Sequence, residues 1–376
     1  MMPFLPPLRL TGAEILRDGQ MQRRSVALAD GRITRGPLPG VDLSGYLILP
    51  GLVDLHGDEV VGNVAQGLAR IDRAAAVHGI TTPHVAQSWS WEGGARGPDH
   101  AEAVMAGLES YRGRAMCDLR LHIRAETHLV DQGARLLAAV RRFGVGYVVF
   151  NDRLDEAARQ HRADPAGFTR RAEAAGLTSE GLLAQIETTR ANKRAVPRHL
   201  CTLAEGFDAM GVSYGSHADP DGETREVFAM IGARIAAFPP NRRVAAAAHA
   251  MMTPVVVGAE EVLGGGVAAG LIGEGLCDAI ASAGAMAQMT AAVWALVDGG
   301  MGLAQAWAMI SVKPAEILRL PDRGRLDVGL RADLVIVNAQ TRAVEATICG
   351  GRLVSATGEA AVRFAHYAQP MRMAAE

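Results

Sequence analysis

Eight short apolar segments alternate with helical stretches through the middle of this 376-residue chain, and this alternation constrains its fold most strongly. Strands separated by helices favour a parallel sheet, because each parallel connection has to cross back over the sheet. Eight strands is also the count of a (β/α)8 barrel. The predicted strands are Leu52–Leu55, Ile80–Val85, Leu119–Glu126, Tyr147–Phe150, Val212–Ser216, Ile235–Phe238, Pro254–Val257 and Cys277–Ala281.

Both ends of the chain carry β-rich segments instead. Near the start, two short strands flank Asp30-Gly31, a dipeptide typical of hairpin turns. Near the end, Asp333–Val337 and Ala346–Cys349 are again predicted strands. We therefore predict an α/β protein with a TIM-like (β/α)8 barrel over residues 50–323. A small composite β-sandwich domain is predicted from residues 1–49 and 324–376.

Composition excludes several classes of protein. The formal net charge is −2, so no overall field favours nucleic acid or an acidic membrane. The four cysteines are far apart and form no CxxC motif, which favours reduced thiols in a cytoplasmic protein. The first ten residues lack a signal-peptide pattern. The uncharged stretch 279–297 is long enough to span a bilayer, but its alanines and polar residues favour a buried strand end and a helix.

Residues 153–198 are too long for a simple connection between two elements, so we predict a helical insertion there. One interpretation is a lid whose basic side chains hold an anionic substrate. The alternative is a solvated helical surface, because acidic residues are interspersed. The basic residues are Arg159, Arg162, Arg170, Arg171, Arg190, Lys193, Arg194 and Arg198.

Pairs of histidine and aspartate follow two predicted strands at their carboxyl ends, where barrel enzymes place their chemistry. His56 and Asp58 follow the first strand, and His217 and Asp219 follow the fifth. Residues two apart on a strand share a face, so each pair presents an imidazole beside a carboxylate. Zinc accepts both ligand types and can polarise a bound water. The alternative is ordinary polar capping of a strand end.

The third and fourth strands add polar residues. Glu126 ends the third strand, where it could bind a metal or substrate, or form a salt bridge with Arg124. Asp152 follows the fourth strand. One face of the third strand is apolar, and the other carries Arg120, His122, Arg124, Glu126 and His128.

With these motifs the chain resembles the amidohydrolase superfamily, and within it the PhnM family of phosphonate metabolism. That family hydrolyses α-D-ribose 1-methylphosphonate 5-triphosphate and releases diphosphate. The resemblance covers nearly the whole chain. It rests on Pro50–His56, Leu55–Asp58, Gly79–Thr82, Leu121–Glu126, Ser216–Asp219, Phe238-Pro239, Asp322–Gly324 and Gly324–Val335.

The resemblance implies a metal-dependent hydrolase that acts on a small phosphorylated or phosphonate-bearing molecule. The net charge predicts no nucleic-acid or membrane partner, and a homo-oligomer is one alternative for the assembly. A divalent ion, with zinc expected, would be the cofactor. The implied metal ligands are His56, Asp58, Glu126 and His217; the catalytic carboxylates are Asp219 and Asp152; the substrate-binding residues are Arg124 and His128.

Three positions depart from the family pattern. Arg153 and Ala268 each replace a histidine, and Ala283 follows Ser282 where the family has a catalytic aspartate. A methyl group neither binds metal nor accepts a proton, and loss of a general base costs about 10²–10⁴ in rate. Three alternatives follow. The protein is a phosphonate-type hydrolase in which another carboxylate acts as the base, or an amidohydrolase that cleaves a C–N bond as a cyclic amidase or deaminase. The third alternative is a catalytically degenerate paralogue that binds a ligand.

Overall fold

The computed structural model describes residues 4–373, with side chains described through residue 367. Eighteen strands lie within that range. They are β1 (Leu8–Thr11), β2 (Glu14–Arg17), β3 (Gln20–Arg23), β4 (Val26–Ala29), β5 (Arg32–Thr34), β6 (Gly40–Asp42), β7 (Tyr46–Pro50), β8 (Leu52–Asp54), β9 (Ile80–Trp89), β10 (Arg120–Glu126), β11 (Tyr147–Asn151), β12 (Ser213–His217), β13 (Ala236–Ala237), β14 (Val255–Gly258), β15 (Ala279–Ala281), β16 (Leu334–Asn338), β17 (Val344–Cys349) and β18 (Arg352–Ala356).

Fifteen α-helices lie in the same range. They are α1 (Val64–Val77), α2 (Pro98–Tyr111), α3 (Gly133–Phe143), α4 (Leu154–Ala163), α5 (Pro165–Ala174), α6 (Ser179–Arg190), α7 (Val196–Met210), α8 (Gly222–Met230), α9 (Arg242–Ala250), α10 (Ala259–Leu263), α11 (Val267–Gly273), α12 (Gln288–Asp298), α13 (Leu303–Ala308), α14 (Val312–Ile317) and α15 (Gly358–Met373).

The centre of the molecule is one sheet of eight parallel strands in the order β8 to β15. Each predicted segment forms one of these strands, so that prediction is confirmed. β9 is longer than predicted because its polar residues find buried partners: Gln87 donates to the Ala95 carbonyl and Ser88 donates to Glu59. β13 is only two residues long, since Phe238 leaves the strand with a φ of 55°.

The first and last strands of this sheet meet at their carboxyl ends. The Ala283 amide donates to the His56 carbonyl at 2.8 Å. Deeper in the sheet, residues 309–310 lie between the two strands. The Val53 amide donates to the Ile310 carbonyl, and the Ile280 amide donates to the Met309 carbonyl. The polar ends of β8 and β15 are therefore held side by side.

Strands from both ends of the chain build two further sheets. One has the order β5-β4-β1-β6, and the other has the order β18-β17-β16-β7-β2-β3. Both sheets contribute to a common apolar cluster that includes Leu8, Leu28, Ile48, Leu334 and Ile348. The domain limits at residues 49 and 324 stay predictions.

Helices α4, α5 and α6 pack around an apolar cluster of their own. Asp164 and Thr178 cap α5 and α6 by accepting a backbone amide proton. The cluster also contains Trp91, which follows β9, so the insertion packs onto the carboxyl end of the parallel sheet. Farther along, the uncharged stretch 279–297 forms β15 and most of α12, as predicted. None of the described helices is both long and apolar enough to cross a bilayer.

Candidate active site at the strand ends

A cavity of about 680 Å³ lies at the carboxyl ends of the parallel strands. Strands β8, β10, β12, β13 and β15 each deliver a side chain to it from their last residues or the residues that follow. The glycine-rich turn between α10 and α11 forms the rim. The lining residues are His56, Arg124, His217, Ala218, Phe238, Pro239, Pro240, Glu261, Gly264, Gly266, Val267 and Ala283.

Two imidazoles form the floor of this cavity. The rings of His56 and His217 stack with centroids 5.6 Å apart and an interplanar angle of 24°. Phe238 lies 5.0 Å from each ring. A third imidazole, His122, lies 4.9 Å from His56 and stacks on Tyr147 at 4.2 Å. The sequence therefore brings three histidines together, although His122 was not predicted as a site residue.

Several nitrogens of these rings are buried and have no hydrogen-bond partner among the described residues. They are Nδ1 of His56, Nδ1 of His217, and both ring nitrogens of His122. Burial, followed by the charge of Arg124, lowers the pKa of His56 to about 3. The same two causes lower the pKa of His217, and burial is the main cause of the lowered pKa of His122. All three imidazoles are therefore neutral at pH 7.

Left-handed backbone conformations are concentrated around the cavity. Ala218, Phe238 and Ala283 have φ values of 52°, 55° and 49°. Such conformations cost a residue with a side chain about 1–2 kcal/mol. Strain of this kind persists where the surrounding structure enforces it, and it is typical of ligand-binding and catalytic sites.

Arg124 is the cation of the cavity. Its side chain is only 12% exposed, and Nη1 lies 3.3 Å from Glu59 Oε1. The other oxygen of Glu59 pairs with Arg96 Nη1 at 3.2 Å. Arg96 Nε in turn pairs with Glu92 Oε1 at 3.0 Å. One carboxylate is therefore shared between the guanidinium in the cavity and a second guanidinium behind it.

The same series of ion pairs continues into the helical insertion. Glu92 Oε2 pairs with Arg171 of α5 at 3.0 Å; Glu92 is buried, and the Arg171 side chain is 11% exposed. Arg171 also lies 3.8 Å from Glu156 of α4, which pairs with Arg153 at 3.1 Å. We call this series the charge chain. Its members, in order, are Arg124, Glu59, Arg96, Glu92, Arg171, Glu156 and Arg153.

Two of the expected metal ligands point away from the cavity. Asp58 pairs with Arg70 of α1 at 2.7 Å. Glu126 is buried and accepts hydrogen bonds from Asn151 Nδ2 and Trp91 Nε1 and from the Arg153 amide. Burial raises the pKa of Glu126 to about 7. Neither carboxylate lines the cavity.

The two expected catalytic carboxylates are engaged elsewhere as well. Asp219 accepts a hydrogen bond from Ser216 at 2.6 Å and pairs with the fully buried Arg225 at 3.4 Å. Asp152 accepts the Leu154 amide at 3.2 Å and lies 3.7 Å from His128 Nδ1. These contacts make Asp219 a structural member of a buried ion pair and place Asp152 and His128 outside the cavity lining.

The residues present do not fit the expected zinc ion. Across residues 4–373, no group of three or more His, Cys, Asp or Glu side chains is placed to hold a metal ion. His56 and His217 lie together, but Asp58 and Glu126 are drawn to other partners. Ala283 supplies a methyl group where a carboxylate was expected. His122 lies beside His56, but the three imidazoles of the described residues are not placed to hold one ion.

Several residues in and around this cavity were not predicted from the sequence. Glu59, Glu92 and Glu261 resemble ordinary surface acids in the sequence, since nothing local marks them. His122 could have been found, because it shares a strand face with Arg124 and Glu126. Of the predicted residues, His56, His217 and Arg124 meet in the cavity.

Comparison with known proteins finds similarity to amidohydrolases. A sequence profile of the amidohydrolase family matches residues 172–354. Among solved structures, the β-aspartyl dipeptidase of Fervidobacterium islandicum is 14% identical, with 94% of this chain and 97% of that chain covered and a TM-score of 0.62. The N-acetylglucosamine-6-phosphate deacetylase of Pasteurella multocida is 12% identical, with coverages of 93% and 100% and a TM-score of 0.64. The family profile thus matches just under half of the chain, and the solved structures share its fold.

A curated relative spans almost the same length. The α-D-ribose 1-methylphosphonate 5-triphosphate diphosphatase of Escherichia coli strain K12 is 24% identical over 368 residues. The match covers 88% of this chain and 94% of that relative.

Proposed function

We propose that this protein is a hydrolase that binds a small phosphorylated or phosphonate-bearing molecule in the strand-end cavity and turns it over slowly. The reaction we propose is related to that of the Escherichia coli relative, whose name describes the release of diphosphate from a ribose triphosphate. We also propose a closed (β/α)8 barrel and a cytoplasmic location for the protein.

The observation that carries this proposal is the position of Arg124. Its guanidinium lines the cavity beside His56 and His217, whose lowered pKa values keep them neutral. A guanidinium presents a planar fork of donors that matches the oxygens of a phosphate or phosphonate. The neutral rings add no competing charge to the cavity wall that they form.

The same lining residues suggest how hydrolysis proceeds. Arg124 holds the phosphate oxygens, while Phe238 and the two prolines after it restrict the entry of bulk water. The oxygen of one water attacks phosphorus, the bridging P–O bond breaks, and diphosphate leaves. Glu261 is the carboxylate among the described lining residues and would take the proton of the attacking water. Burial, followed by the charge of Glu260, raises the pKa of Glu261, which makes its carboxylate a stronger base.

A second candidate function is ligand binding without catalysis. Ala283 favours it, because the cavity wall beside His56 and His217 ends in a methyl group. The incomplete set of metal ligands favours it as well. Under either function the cavity receives the same class of ligand, and the difference lies in turnover.

The test is a product assay on the purified full-length protein, with metal content measured on the same sample. The substrates are α-D-ribose 1-methylphosphonate 5-triphosphate and, in parallel, a set of cyclic amides, nucleobases and dipeptides. We expect slow diphosphate release and no amide cleavage. Tight binding without product would establish the second candidate. Cleavage of a C–N bond without diphosphate release would refute the proposal in favour of an amidase or deaminase.

A further inference from the structure

The charge chain begins and ends on arginine. Its seven members alternate in sign, so four guanidinium groups are matched by three carboxylates. The salt bridges within the charge chain therefore leave one positive charge uncompensated. Glu92 is buried at the centre of this series, whereas Glu156 near its far end is exposed.

The excess charge is available at the cavity end. Arg124 has Glu59 as its salt-bridge partner, and Glu59 also binds Arg96 and the Ser88 hydroxyl. The Nε atom of Arg124 is buried without a hydrogen-bond partner among the described residues. A charged donor left unpaired in a buried position costs about 1–3 kcal/mol, so Glu59 compensates the Arg124 guanidinium only in part.

Resting on the proposed function, we propose that Arg124, held by the charge chain, binds the phosphate group of the ligand directly and that this binding needs no metal ion. The fixed guanidinium then performs the charge-neutralising role that a metal ion performs in other hydrolases. The donor geometry supports this reading, because the expected carboxylate ligands are bound by Arg70 and by Asn151.

The helical insertion contributes Arg171, Glu156 and Arg153 to the charge chain, and only Arg171 contacts Glu92. Arg171 of α5 pairs with the buried Glu92 and thereby holds the middle of the charge chain. Its neighbour Arg170 is exposed on the same helix. The sequence left open whether the insertion is an anion-binding lid or a solvated surface. In this proposal its exposed arginines are solvated, and Arg171 is a positioning residue.

The experiment is calorimetric titration of the full-length protein with inorganic diphosphate, after EDTA treatment and again with added zinc. We expect the same Kd in both conditions. Arg124→Gln should weaken binding by about 10- to 100-fold, the loss typical of a charge-assisted hydrogen bond. Arg124→Lys keeps the charge without the planar fork and should give an intermediate Kd.

The insertion has its own matched pair of variants. Arg171→Gln should weaken diphosphate binding, and Arg171→Lys should restore part of the loss because it keeps the charge. Arg170→Gln should leave the Kd unchanged. A merely structural role of Arg171 predicts loss of thermal stability in Arg171→Gln with no change in Kd.

Two results would overturn the inference. One is binding that appears only when zinc is added, and the other is an unchanged Kd in a folded Arg124→Gln. The proposed function fails in a different way: neither diphosphate nor the ribose triphosphate would bind, with or without zinc. The EDTA comparison uses the wild-type protein and therefore does not depend on the folding of any variant.

Discussion

Ser282 binds Asp54 where the last strand of the parallel sheet meets the first. The Ser282 hydroxyl donates to Asp54 Oδ2 at 2.6 Å, and the Ser282 amide donates to Asp54 Oδ1 at 2.9 Å. The His56 amide donates to the same carboxyl group at 3.1 Å. Asp54 is completely buried, and burial raises its pKa although each of these hydrogen bonds lowers it. The contact fixes His56 and Ala283 next to each other in the cavity wall.

Replacing Ser282 by alanine should destabilise the protein by about 1–3 kcal/mol, because a buried carboxyl group loses a donor. The measurement is chemical unfolding followed by circular dichroism. Ser311→Ala is the matched control: Ser311 is also fully buried, but its hydroxyl donates to the Trp307 carbonyl of a helix. An equal loss in both variants would show that the Ser282–Asp54 contact has no special weight.

The raised pKa of Glu126 predicts a pH-dependent stability. Its pKa is about 7 in the folded protein, against 4.5 for the unperturbed group. Between these values the folded state holds a proton that the unfolded state has lost, so this group's contribution to stability falls as pH rises from about 4.5 to about 7. Glu126→Gln removes this dependence.

As the pH rises from about 4.5 to about 7, the wild type should therefore lose up to about 3 kcal/mol of unfolding free energy relative to Glu126→Gln. Any constant cost of rearranging hydrogen bonds cancels in the comparison. Parallel stability curves for the two proteins from pH 4 to pH 8 would contradict the raised pKa.

The parallel sheet was predictable from the sequence because most of its strands are buried on both faces. Such strands form short continuous apolar runs, and the helices between them separate those runs clearly. The lengths of the strands were less predictable. Phe238 is apolar and continues the pattern, but its left-handed backbone ends β13 one residue earlier.

The location of the candidate site was predictable from the sequence. The partners of its charged side chains were predictable only in part. His56, His217 and Arg124 stand at strand ends, and strand ends meet at one edge of a parallel sheet. The partners of each carboxylate depend on which arginine lies nearby in space. Asp58 meets Arg70 twelve residues later, whereas Asp219 meets Arg225 beneath β12. No local sequence pattern specifies which arginine each aspartate pairs with.

Ala283→Asp should give the cavity a carboxylate beside His56 and His217. Position 283 has a φ of 49°, a conformation that aspartate tolerates better than most residues. We expect zinc content to rise toward one ion per chain and hydrolysis to increase by up to about 10²-fold, the low end for a restored general base. Elemental analysis and single-turnover assays measure the two effects.

Ala283→Asn is the control for the change at position 283, because it has the same shape without a carboxylate. If the asparagine and aspartate variants have the same zinc content and the same rate, position 283 does not face the reacting groups. The assignment of Ala283 to the lost catalytic position would then be incorrect.

Glu261→Gln should lower the rate of hydrolysis by about 10²-fold or more if Glu261 accepts the proton of the attacking water. Binding of diphosphate should change little, since the carboxylate does not hold the anion. Glu260→Gln is the matched control, because Glu260 is exposed and does not line the cavity. Equal rates in the two variants would assign the proton transfer to another group.

The most direct test of metal-independent anion binding by Arg124 is a crystal structure of the wild-type protein grown with diphosphate and without added metal. We predict diphosphate in the strand-end cavity, above the stacked rings of His56 and His217. At least one of its oxygens should lie within hydrogen-bond distance of Arg124. An empty cavity at saturating diphosphate, or diphosphate bound only on the outer surface, would contradict anion binding by Arg124.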